Sequence, residues 1–233
     1  MKLMQASIVA ATLMAGFLLF GAPAQAQGYY INPNMYSNMY AVNAAQLAQN
    51  LQFSARMKTL REQQAIFDRA ANARPATKPK TPFTATDFRP EGRRDAPQRL
   101  AAMVQDRGMR PQITQMARDV LNAIEQEPAF RRNNLAYALT IYLGGSLQVL
   151  TGEEIDDARS QALAQWINDE MVSAGAVANL TPLQRTQLYD VLLLQGGLII
   201  GIAQAGIDNG DAEQVEIAKK MAREALTTFG INL

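Results

Sequence analysis

The sequence predicts an all-α protein: a compact bundle of about five to six helices, preceded by a flexible or partly helical N-terminal arm and a proline-rich basic linker. Three observations predict it. From residue 97 onward apolar residues recur three and four apart, the period of a helix face, with almost no alternating β pattern. Caps, glycines and prolines punctuate that stretch where helices should start and stop. Ahead of it, prolines and basic side chains interrupt every periodic run. Apolar residues make up 48% of the 233-residue chain, enough to bury a core.

Residues 1–26 read as a signal peptide. Lys2 is the positive start, Ile8 to Phe20 the apolar stretch, and Gly21 and Pro23 the break. Ala24-Gln25-Ala26 supplies the small residues of a cleavage site, so cleavage is expected after Ala26 and export to the periplasm or beyond. Residues 27–73 read as a low-complexity arm. Its opening is rich in Asn, Tyr and Met, and Asn34-Met35-Tyr36-Ser37 is echoed by Asn38-Met39-Tyr40-Ala41. A helix is plausible from Ala44 to Ala73, with Leu47, Leu51, Met57, Leu60, Ile66 and Phe67 on an imperfect stripe.

Residues 74–96 form the linker. Pro75, Pro79, Pro82 and Pro90 forbid a continuous helix, and Lys and Arg between them keep the path solvated. Charge is divided along the chain: residues 27–110 carry 13 basic and 6 acidic side chains, and residues 111–233 carry 8 and 15. The linker is therefore expected to lie partly docked on its own acidic bundle, loosely and in a salt-sensitive way.

Residues 97–233 form the bundle. The first helix starts at Pro97 and ends at Arg107-Gly108; the second runs from Pro111 to about Glu127. The third runs from about Arg131 to Leu150. The fourth runs from about Ile155 to Ala174, with Ile155, Ala158, Ala162, Trp166, Ile167 and Met171 turned inward and Glu153, Glu154, Asp156 and Asp157 at its start. The fifth opens on Thr181-Pro182-Leu183-Gln184, a capping box, and is apolar on nearly all sides from Val191 to Ala205. It reads as the central helix, its apolar core being short for a membrane span. The sixth runs from Asp211 to Phe229, with Ala212, Val215, Ala218, Ala222 and Leu226 inward. Gly144-Gly145 and Gly196-Gly197 sit inside helices. Each glycine costs about 1 kcal/mol there relative to Ala, which close helix–helix contact would offset.

The chain has no Cys and no His, which excludes thiolate chemistry, a Ser-His-Asp relay and imidazole ligands. It has no P-loop and no dinucleotide fingerprint. No catalytic, cofactor-binding or metal-binding residue is assigned. Asp119, Glu125, Asp169, Glu170 and Asp190 could serve a carboxylate-based hydrolase, but the sequence sets no two of them across a cleft. Asp208-Asn209-Gly210-Asp211 reads as a turn before a calcium loop. The polar positions of interest are Asn133, Asn134, Tyr142 and Gln195, with Gln195 expected to be a satisfied core amide.

Asn133-Asn134-Leu135-Ala136-Tyr137-Ala138 with Tyr142, Gln187-Leu188-Tyr189 through Leu193-Leu194-Gln195, Phe83 to Arg94, and Gly230-Ile231-Asn232-Leu233 carry a resemblance. Over roughly residues 83–233 the chain resembles an uncharacterised family of exported proteobacterial proteins, a helical domain of unknown function. The resemblance implies an exported α-helical domain and no reaction. The expected role is non-enzymatic binding of a protein or envelope component. The alternatives are a cell-wall hydrolase, or a small-molecule carrier with a cavity near the glycine pairs. No nucleic acid, no cofactor and no membrane span after cleavage are expected.

Overall fold

A computed structural model describes residues 81–104 and 106–231. The expected signal peptide, the arm with its helix at 44–73, and linker residues 74–80 lie outside the described residues. Within them the chain forms six α-helices: α1 (Ala96–Ala102), α2 (Arg110–Gln126), α3 (Leu135–Thr151), α4 (Asp157–Ser173), α5 (Pro182–Asn209) and α6 (Ala212–Thr228). Two 3-10 turns, Phe83–Thr86 and Arg107–Met109, complete the regular structure. No β-sheet forms among the described residues; the extended backbone makes one isolated antiparallel bridge, between Asp87 and Asn134.

Local chemistry sets the helix ends and moves several from where periodicity put them. α1 stops at Ala102, and Arg107-Gly108 belongs instead to a 3-10 turn in which the Asp106 carboxylate accepts from the Gly108 N–H at 2.8 Å. α3 starts at Leu135 rather than near Arg131. Asn133 takes a left-handed φ of +53°, and Asn134 caps the helix by accepting from the Tyr137 N–H at 3.0 Å. Asn side chains favour both conformations over helix interior. α4 starts at Asp157 because Asp156 is its N-cap, accepting from the Arg159 N–H at 2.8 Å. Glu153 and Glu154 therefore precede that helix. The Thr181/Gln184 capping box of α5 forms with both bonds present.

α5 is the centre. It runs 28 residues and, although its apolar core was expected to be short for a span, is long and apolar enough to cross a membrane. Its burial supports the core assignment: 72% of its apolar window is covered by the protein itself. α3 runs parallel to α5, since Ile141 faces Gly196 and Gly145 faces Ile200. α6 lies antiparallel against both, with Val215 at Gly206 and Phe229 on Tyr142. α2 covers another side of α5, with Val120 and Ile124 over Gly197. α1 packs on α2, and α4 packs on α3 as the return leg that makes the parallel pair possible.

The glycine pairs mark tight crossings. A Cβ on Gly196 would lie 3.0 Å from the backbone of Ile141, and one on Gly145 would lie 2.5 Å from Ile200 Cδ1. These positions are filled by neighbouring helices, so no cavity opens at them. The predicted inner face of α4 is shifted, though Ile167 and Met171 are buried as expected, and that of α6 holds at Ala218, Ala222 and Leu226. α4 buries Leu163, Ala164, Ile167, Asn168 and Met171, leaving Ala158 exposed and Trp166 half-buried. α6 buries Ala218, Met221, Ala222, Ala225 and Leu226, leaving Ala212 exposed. Ala158 and Ala212 are exposed in the first turns of their helices, whereas Val215 meets Gly206 and Trp166 packs against the core.

Candidate functional site

Residues 81–95, the described part of the linker and here called the strap, cross the end of the bundle where α3 begins. Outside the 3-10 turn and the bend at Gly92 to Asp95 their backbone makes few bonds to itself, so its polar groups find partners on α3, α4 and α5. Thr81 donates its N–H to Asp169 Oδ1 at 3.0 Å, and its carbonyl accepts from Asn168 Nδ2 at 3.0 Å. Thr86 is fully buried and donates its hydroxyl to Asn168 Oδ1 at 2.7 Å. Asn134 Nδ2 donates to the Phe83 carbonyl and to Asp87 Oδ1, both at 2.8 Å. The Phe88 N–H donates to the Asn133 carbonyl at 2.9 Å, and the Glu91 N–H to Thr186 Oγ1 at 2.8 Å.

Beneath these bonds lies an aromatic layer. Phe83 meets Tyr137 edge-on at 5.1 Å, Phe88 meets Tyr189 at 5.3 Å, and Phe130 meets Tyr137 at 6.0 Å. The strap is thus apolar on its inner side and hydrogen-bonded at its margins.

Two arginines close the seam. Arg131 bonds Asp87 through Nε at 2.8 Å and also through Nη2, a two-point pair near the surface. The bonds from Arg131 hold the Asp87 carboxyl below the ordinary carboxylate range, outweighing the effect of burial. Arg94 is the more consequential group. Its Nε donates to Asp190 Oδ1 at 2.8 Å, while Nη1 and Nη2 reach Glu125 at 3.1 and 2.8 Å. The guanidinium also lies 5.7 Å from the Tyr189 ring centroid. Exposure grades across the group: Arg94 36%, Glu125 13%, Asp190 1%.

Burial dominates the electrostatics. It pushes the Asp190 carboxyl above its ordinary value, with Arg94 pulling the other way and Glu125 adding to the rise. Burial also works against the Arg94 charge, but bonds from Asp190 and Glu125 outweigh it and hold the guanidinium protonated. Burial and the nearby Glu125 charge push the Tyr189 hydroxyl well up.

The four positions singled out by sequence divide two and two. Asn133 and Asn134 both bind the strap, Asn133 through its carbonyl and Asn134 through its side chain. Tyr142 lies elsewhere on α3, buried against Phe229 at 6.0 Å, with its hydroxyl pushed up by burial. Gln195 departs from the satisfied amide expected of it: its Oε1 is buried and has no hydrogen-bond partner among the described residues. The residues one turn away on its own helix are Val191, Leu192, Leu198 and Ile199, none of whose side chains can donate. Neither Tyr142 nor Gln195 joins the seam.

Sequence reasoning named Glu125 and Asp190 only as separate carboxylates and did not single out Arg94, Thr86 or Asn168. One signal was present: Asp190 sits between Tyr189 and Val191 in a run that is otherwise apolar, and such a charge needs a buried partner. Among the described residues no group of three or more Asp or Glu is placed to hold a metal ion.

The model of a family of unknown function, DUF6683, matches residues 2–233. The chain belongs to DUF6683. The match extends upstream of the 83–233 stretch that carried the resemblance, so the N-terminal residues are part of what defines this DUF6683 protein. No curated protein and no solved structure matches it.

Proposed function

We propose that this DUF6683 protein is an exported helical domain that binds a protein or envelope component without catalysing a reaction, its bundle serving to anchor the basic N-terminal segment. The observation that carries this reading is the Arg94 junction. One guanidinium holds Asp190 and Glu125 together, so the buried charges of the bundle serve to fasten the strap. A fastened strap fixes the position of residue 81, and the chain before it carries Lys78, Lys80, Arg74 and the Tyr/Met repeats.

The hydrolase alternative draws less support. It needs an acid and a base that a polymer can reach, and Asp190 is 1% exposed beneath Arg94. The carrier alternative needs space at the glycine pairs, where Ile141, Ile200 and Val120 already sit.

Pull-down from an envelope extract tests the proposal. The mature chain is compared with a variant in which Arg74, Lys78 and Lys80 are each replaced by Glu. One envelope component retained by the first and lost by the second supports the reading. Release of soluble fragments from purified cell wall by the mature chain would contradict it.

A further inference from the structure

The asparagines of the described residues meet different surroundings. Asn134 and Asn168 are fully buried and bonded into the strap seam. Asn133 is half-buried beside them. Asn122 and Asn179 are exposed, but Ala123 and Leu180 follow them. Asn209 differs from all five. It is exposed, its side chain has no hydrogen-bond partner among the described residues, and a glycine follows it.

The geometry favours reaction between these two neighbours. Asn209 is the last residue of α5, and Gly210 ends the helix at a φ of +66° with no atom within 4 Å of where a Cβ would stand. Residues 207–210 are all exposed. The Gly210 N–H returns to the Ile207 carbonyl at 3.2 Å and the Asp211 N–H to the Gly206 carbonyl at 2.8 Å. Only these end bonds must open before the Gly210 nitrogen turns toward the Asn209 side chain, and helix ends fray at low cost. Gly210 has no Cβ to obstruct that turn. Asn122 has no such freedom, because the nitrogen that follows it lies inside α2.

We propose that Asn209 is a site of spontaneous modification, through a succinimide formed with Gly210, that turns an amide into a carboxylate at the α5–α6 corner as the protein ages. The Gly210 main-chain nitrogen attacks Asn209 Cγ. The Cγ–Nδ2 bond breaks, and Nδ2 leaves as ammonia with the proton that the Gly210 nitrogen gives up. Solvent water then opens the ring at one of its two carbonyls, leaving isoaspartate or aspartate. Both products oppose the corner. The new carboxylate stands between Asp208 and Asp211 at the negative end of the α5 dipole. Isoaspartate also lengthens the main chain by a methylene next to a connection made only of Gly210 and Asp211. There Val215 packs on Gly206, and Asp211 caps α6 by accepting from the Glu213 and Gln214 N–H groups at 3.0 and 3.1 Å. The reaction therefore loosens α6 from α5. It is a property of the chain alone, at the opposite end of α5 from the strap, and is independent of the binding role proposed above.

The test follows the full mature chain during incubation at mildly alkaline pH, folded and, in parallel, unfolded in urea. Peptide mass spectrometry reads each asparagine, and enzymatic methylation reads isoaspartate. The expected result is progressive loss of the Asn209 amide in the folded chain, with more isoaspartate than aspartate, while Asn122 and Asn179 stay intact. Asn209→Gln should abolish the isoaspartate signal. The aged chain should unfold at lower urea than the fresh chain, and at lower urea than Asn209→Asp, which adds the charge without the methylene. Conversion of Asn209 in the urea-unfolded chain alone would overturn the proposal, because the folded corner would then protect it. Conversion of Asn122 or Asn179 as fast as Asn209 would overturn it as well. An aged chain as stable as the fresh one would overturn the loosening of α6.

Discussion

Helices α3 and α5 are joined to their neighbours in two ways that use opposite chemistry. Along their crossing, Gly145 and Gly196 let backbone and side chain meet with no room for a Cβ. At the strap, Arg94, Asp190, Glu125, Asn134 and Asn168 do the joining through hydrogen bonds and charge. The first junction is apolar and depends on shape. The second is aromatic beneath and polar at its margins, and those margins depend on protonation and partners. The comparison teaches that one small bundle separates what must be rigid from what answers to pH and salt.

The largest expected effect lies at the crossing. Gly196→Leu should destabilise by about 3 kcal/mol or more, since the side chain would enter the Ile141 backbone. Gly196→Ala should cost more than Gly145→Ala, although both gain the same helix propensity. The obstacle at 145 is the movable end of Ile200, whereas at 196 it is main chain. Urea unfolding of the variants checks both; equal tolerance at the two positions would erase the distinction.

Next comes Arg94→Ala, which strands Asp190 without its cation. A loss of about 2–3 kcal/mol at neutral pH is expected, short of the full cost of breaking a buried pair because Arg94 is partly exposed. The pH dependence carries the sign. Asp190 has a raised folded pKa, so its protonated form favours the folded state, and that contribution is lost as pH rises through the folded value. Removing Arg94 raises the value further. Arg94→Ala should therefore regain stability relative to wild type as pH falls from neutral toward the unfolded carboxylate pKa of about 3.9. Asp190→Asn should be milder than Arg94→Ala, because an amide needs no ionic partner and Glu125 still holds Arg94.

The smallest effect belongs to Arg131→Ala. Asp87 and Arg131 meet near the surface, and such pairs are worth about 0–1 kcal/mol. Asp87 has a lowered folded pKa, so its share is present above about pH 3.9 and lost as pH falls through the folded value. The variant should flatten the acid limb of the stability profile and reduce its salt dependence. A neutral-pH loss as large as that of Arg94→Ala would show that the surface pair holds the strap.

The helices were legible because their signals are local. Thr181-Pro182-Leu183-Gln184 states its own cap, and the glycine pairs announce a close crossing by their cost. Helix faces were less legible: Ala158, Ala162 and Trp166 keep perfect spacing, yet Ala158 is exposed and Ala162 and Trp166 are half-buried, Trp166 at the edge of the core, since periodicity reports a stripe and not how deeply it is covered. The seam was mostly illegible. Asn133 and Asn134 stood out as a pair, but Arg94, Glu125 and Asp190 lie on three segments separated by 31 and 96 residues from the arginine, and only the fold makes them neighbours. Gln195 misled for the same reason: its type suggests a partner, and none of its helix neighbours provides one.

Amide hydrogen exchange tests most directly whether the strap is a separately held unit closed by its polar margin. Phe88 and Glu91 donate their N–H groups across the seam, while amides in the middle of α3 and α5 belong to the crossing. In the Arg94→Gln chain the account predicts faster exchange at Phe88 and Glu91 with α3 and α5 core amides unchanged, and a further rise at high salt. Equal acceleration at all four sites, or none at Phe88 and Glu91, would contradict it.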